Sequence, residues 1–153
     1  MVDSIYLITR TIHFIAMALW IGFGIYAGLD ARTSIAAGPS NFPALRERQR
    51  RVGPIMGASG FLTLITGIVM IFCRGGFAHV SHSIHAGLLT GIIASGVGAL
   101  GVGGTWSKID KMMADGKSAE DMAPLLRRIS MLSKVFQTLW LITLLLMVFR
   151  PIP

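Results

Sequence analysis

Charged residues are scarce in this chain. Asp, Glu, Lys and Arg together make up 14% of its 153 residues, where a soluble domain carries about 25%. Hydrophobic residues reach 53%, and mean hydropathy is +0.67. That balance argues against a soluble globular domain and for a small polytopic membrane protein of one domain. Acidic residues are scarcer still, 7 against 14 basic, for a net charge of +7. In a soluble protein such an excess would suggest nucleic acid. Here most basic residues cluster in two loops, where they set topology, so no nucleic-acid partner is expected. A lone Cys73 excludes an intrachain disulfide and leaves the compartment unread. The N-terminus lacks a basic region, with Asp3 first and Arg10 late, and its apolar run is too long for a signal-peptide core. That run is expected to be retained. Neither an internal repeat nor a low-complexity tract is evident.

What is present is a set of neutral runs at residues 11–29, 52–73, 75–107 and 135–149. A helix needs about 20 apolar residues to cross a bilayer core. The third run is too long for one span and is read as a loop followed by a helix. The fourth is too short, about 22 Å of helix, so its helix starts earlier, near Pro124, with Arg127, Arg128 and Lys134 snorkelling. Pro151 stops it. The expected fold is all-α, an integral-membrane bundle of four transmembrane helices at about residues 4–31, 47–73, 82–106 and 124–150.

Eleven basic residues fall in the first and third loops, against Arg10, Arg74 and Arg150 on the other side. The bias places both basic loops in the cytoplasm and both termini outside, in the periplasm if the membrane is a bacterial inner membrane. The first loop holds the turn GPSNFP (38–43) and then ALRERQRR (44–51), an amphipathic extension of the second helix. The third is read as a solvated connector with helical ends. Small residues line the helices: Gly53, Gly57, Gly60 and Gly67 in the second, Gly87, Gly91 and Ser95 in the third. Such spacing lets backbones approach closely, within the bundle or between subunits. Room for a flat macrocycle is the alternative.

The organising stretch is TIHFIAMALWIGFGIYAGL (11–29). His13, Met17, Trp20 and Gly24 lie on one helical face. An ionisable ring at membrane depth is costly and wants a partner, a cavity or a cofactor. All four histidines fall on the outer side; His79, His82 and His85 occupy the outer loop and the start of the third helix. Three readings compete. In the first, His13 and His85 are axial ligands of haem b, with Arg10 holding a propionate and His82 or a methionine as substitute ligand. The second nitrogen of each ring would then need an acceptor, with Thr11 and Ser83 nearby in sequence. In the second, copper is bound by His13 with Met17, the outer histidines, Met70 and Cys73. In the third, His13 bonds a hydroxyl or carbonyl, and Trp20 and the methionines are packing.

These residues also carry a resemblance. TIHFIAMALWIGFGIY is similar to the first helix of the bacterial membrane protoporphyrinogen oxidases and their copper-resistance D relatives: a histidine, a tryptophan seven on, a glycine two later and an aromatic beyond. RRVGPIMGASGFLTLITGIVMI, SIHAGLLTGII and WLITLLLMVFRP resemble the other three helices of that group. The resemblance implies a helical membrane protein that binds haem b or copper, often as a homodimer or other oligomer. Electron transfer or an oxidoreductase step follows from the haem reading, with quinone or another redox partner. The oxidases have a lysine two residues after the third-helix histidine; here that position is Gly87. Their Asn-Glu-x-Pro before the last helix is replaced by Ser133, Lys134, Val135 and Phe136. These departures count against porphyrinogen oxidation, and a protoporphyrinogen oxidase-like enzyme stands as an alternative beside a copper-binding or copper-transport protein.

Overall fold

The computed structural model describes residues 2–149. The fold is all-α. Its helices are α1 (Val2–Ala36), α2 (Phe42–Cys73), α3 (His82–Gly96), α4 (Gly104–Ala114) and α5 (Ala119–Phe149). A π-helical stretch, Val97–Gly103, joins α3 to α4, so that His82–Ala114 runs as one 33-residue helix. Four helices result that are long and apolar enough to cross a membrane. The expected end of the last helix at Arg150 and its stop at Pro151 fall outside the described residues.

Each helix runs further at the basic end than the charge pattern implies. α1 continues past Asp30 to Ala36, because Arg48 holds the Asp30 carboxylate at 2.8 Å and also donates to Ser34 Oγ at 2.8 Å. It ends where Gly38 takes a φ of 101° and Pro39 follows, a conformation glycine adopts without strain. α2 starts at Phe42, before the expected residue 47, with proline in its first turn. α4 reaches Ala114 rather than stopping near residue 106. α5 begins before Pro124, because Ser118 and Asp121 cap it reciprocally: Ser118 N donates to Asp121 Oδ2 at 3.1 Å and Asp121 N to Ser118 Oγ at 3.2 Å. The third loop is thus mostly helix, with a tight turn at Gly116.

At 1.5 Å per residue the four long helices, 31 to 35 residues each, run about 46–53 Å, against a hydrocarbon core of about 30 Å. The surplus lies at the basic end. There a core of Ala31, Ile35, Phe42, Leu45, Ile109, Met113, Met122 and Ile129 closes the bundle, and Arg46 ties α2 to Asp110 of α4 at 2.6 Å. The apolar runs, by contrast, are only 6% to 28% buried. Phe61, Phe72, Leu89 and Leu100 stand outward on them. Outward apolar residues over so much surface need a covering phase.

α1 packs along α2, and α3 along α5; α1–α5 and α2–α3 contacts join the two pairs. α1 and α3 therefore stand on the diagonal. The glycines serve this packing. A Cβ at Gly60 would meet Trp20 Cε2 at 2.9 Å, and one at Gly87 would meet Met147 Cγ at 2.9 Å. At these positions the chain's own side chains occupy the room that small residues leave, as close helix packing requires.

Candidate functional site

His13 is buried on α1, facing α2. Its Nδ1 lies 3.0 Å from Thr66 Oγ1. The Thr66 hydroxyl carries one hydrogen, and that hydrogen has carbonyl acceptors in its own helix, Leu62 O at 2.6 Å and Thr63 O at 3.1 Å. A hydroxyl that gives its hydrogen to one of these carbonyls can accept from His13, with Nδ1 as the donor. In the neutral ring this leaves the lone pair on Nε2. Gly67 admits the imidazole: a Cβ there would touch His13 Cε1 at 3.4 Å.

Thr66 belongs to a polar stripe that the sequence reading missed. Ser59, Thr63 and Thr66 recur at spacings of four and three and are all buried. Those hydroxyls on one face of an otherwise apolar run are the signal that locates the partner of His13.

Farther along α1, Trp20 fits against Gly60 and meets the Phe136 ring edge-on at 5.2 Å. Gly24 faces Met56 and Phe136, each 3.7 Å from a Cβ placed there. Trp20 and Gly24 thus sit in helix packing, while Met17 is half-buried.

His85 stands exposed on the first turn of α3. Its Nδ1 lies 3.1 Å from the Ser81 carbonyl. A carbonyl only accepts, so Nδ1 donates, and the neutral ring again keeps its lone pair on Nε2. The Phe77 ring centroid is 5.9 Å away and that of His82 is 6.2 Å away. The contacts at the two Nδ1 atoms are thus Thr66 and the Ser81 carbonyl; the Thr11 hydroxyl is spent on Leu7 O at 3.0 Å.

His13 and His85 lie toward the same end of the bundle. Arg74, just past α2, rests over the Tyr6 ring of α1 at 4.4 Å. Phe77 in the following turn packs edge-on against Phe72 and also meets His85. The two imidazoles make their contacts with different elements, on helices across the diagonal. Arg10 is exposed, with its guanidinium 5.6 Å from the Phe14 centroid. His79 packs over Gly75, where a Cβ would meet its Cγ at 3.3 Å. Among the described residues no three His, Cys, Asp or Glu side chains gather as a metal site.

The space at Gly87, the position of the oxidase lysine, is taken by Met147. Thr90 and Thr143 fix the same α3–α5 contact through a 2.7 Å hydroxyl pair.

Comparison with protein-family models, with curated proteins and with solved structures finds no match.

Proposed function

We propose that this chain is a multi-pass protein of a bacterial inner membrane, with both termini outside, that binds haem b and works in electron transfer or an oxidoreductase step. The membrane part is supported by four long apolar helices whose outward faces lack a protein cover. Orientation is supported by the eleven-to-three bias of basic residues.

The observation that carries the haem reading is the 3.0 Å contact that fixes the buried His13 ring on Thr66 Oγ1. A ligating imidazole commonly donates its second nitrogen to an acceptor that fixes the ring. Thr66 does this for His13 and the Ser81 carbonyl for His85. In donor type the residues fit, two imidazoles toward one end of the bundle with two cations near them; in space His13 is buried against Gly67 and only His85 is exposed. The slots at Gly60, Gly67 and Gly87 are filled by Trp20, His13 and Met147, so the side open to a macrocycle is the exposed one at His85.

Haem supplies a one-electron couple when bound. His13 and His85 would hold the iron, and Arg10 a propionate. Thr66 keeps the His13 ring in one orientation. The apolar surroundings of α1 and α2 keep water from that ring. A redox partner such as quinone, and a homodimer in which the exposed flank is covered, belong to the same proposal. So does the resemblance to the protoporphyrinogen oxidase and copper-resistance D group. Its porphyrinogen chemistry is not part of the proposal, because the lysine position is closed by Met147. The test is an absorption spectrum of the purified protein with metal analysis. A Soret band with reduced α and β bands supports the reading; copper without a Soret band replaces it by a copper-binding or copper-transport protein.

A further inference from the structure

At the basic end, an open groove of about 440 Å³ runs between α1 and α5. Ile35 and Leu126 give it an apolar floor, and Arg32, Arg127, Ser130 and Lys134 line it with polar groups. Helical spacing explains the arrangement. Arg127, Ser130 and Lys134 recur at three and four residues along one face of α5, and Arg32 lies one turn before Ile35 on α1.

The acidic side chains nearby are engaged elsewhere. Asp30 is bound by Arg48, Asp110 by Arg46, Glu47 by Arg51, and Asp121 by Ser118. Asp115 and Glu120 do not line the groove. Among the described residues no ion pair reaches Arg32, Arg127 or Lys134. Three cations therefore face one concavity without a counter-charge from the protein. Met131 also lines the groove, and beyond it toward the middle of the helices Leu29 of α1 and Val135 of α5 stand exposed.

We propose that this groove binds an anionic phospholipid. Its headgroup phosphate lies among Arg32, Arg127 and Lys134, and its acyl chains run along the exposed apolar faces of α1 and α5. Basic pockets between membrane helices on the cytoplasmic side suit such headgroups. A free phosphate would use the cations and leave the apolar walls unused. The proposal rests on the membrane reading above and is independent of haem.

The test uses the full chain, extracted from membranes in mild detergent and examined by native mass spectrometry with phosphatidylglycerol and phosphatidylcholine of matched chain length. Phosphatidylglycerol should be retained about a hundredfold better, the preference three interfacial cations provide. The triple variant R32Q/R127Q/K134Q should reduce that to about threefold or less. The variant R50Q/R51Q, at the same end but paired with Glu47, should keep it. Millimolar inorganic phosphate should not displace the lipid. Equal retention of both lipids by the native chain, or an undiminished preference in a helical, monodisperse triple variant, overturns the proposal. Should the triple variant misfold, R127Q alone must still lower the preference, and no change there overturns it as well. Displacement by inorganic phosphate would mean a soluble-anion site and also overturns it. Recovery of the chain from the soluble fraction would overturn the membrane reading itself, before any lipid is compared.

Discussion

The imidazole of His13 and the hydroxyl of Thr66 meet at 3.0 Å across the α1–α2 interface, and the hydroxyl's own hydrogen is directed at carbonyls of α2. A hydroxyl that donates to those carbonyls can accept from Nδ1, which leaves Nε2 as the basic nitrogen of a neutral ring.

Thr66→Val keeps the shape and removes the hydroxyl that His13 Nδ1 meets, leaving the ring the backbone of Thr63 as partner. Haem retention should fall about 10-fold to 100-fold, the usual effect of losing an orienting partner. Thr66→Ser should restore most of it. Haem titration of the three proteins, with His13 nitrogen shifts by NMR, checks the account. Unchanged haem retention in Thr66→Val would contradict it.

Two glycines of α2 should respond oppositely to the same change. Gly60→Ala places a Cβ 2.9 Å from Trp20 Cε2 and should destabilise by about 1–3 kcal/mol through overpacking. Gly57 has nothing within 4 Å of an added Cβ, so Gly57→Ala should be neutral or slightly stabilising. Thermal unfolding of both variants in detergent reads the difference. Equal effects would mean that Trp20 is not seated on Gly60.

Topology is checked by reporters. A fusion after Pro153 should behave as periplasmic and an insertion beside Gly116 as cytoplasmic, following the bias of the basic residues. The reverse pattern would move His13 and His85 to the cytoplasmic half.

With Met147 occupying the space beside Gly87, no cationic side chain stands where the oxidase lysine would act. The chain should fail to rescue cells lacking protoporphyrinogen oxidase, and Gly87→Lys should lower stability rather than create activity. Growth of the complemented strain without added haem would show that another residue fills the role.

Four long helices and the all-α class were legible because charge scarcity and run length are set by local composition. Helix ends at the basic side were not. Asp30 and Arg32 look like a boundary until Arg48, eighteen residues on, is seen to neutralise Asp30. The glycine stripes were legible as small-residue faces. What fills them, Trp20 at Gly60 and Met147 at Gly87, is long-range packing that spacing does not encode. For the site, His13 stood out as an ionisable ring in an apolar run. Its partner did not, because Thr66 is 53 residues away and the nearer Thr11 competes for notice. The burial of His13 and the exposure of His85 likewise depend on which helix faces which.

The most direct test of the central claim is the reduced-minus-oxidised spectrum of the purified protein beside that of His13→Ala. The native chain should show a Soret band with reduced α and β bands characteristic of a six-coordinate, low-spin haem b. His13→Ala should lose the haem or become five-coordinate while keeping its helical content. A native protein without a Soret band, or an unchanged low-spin spectrum in His13→Ala, would contradict the account.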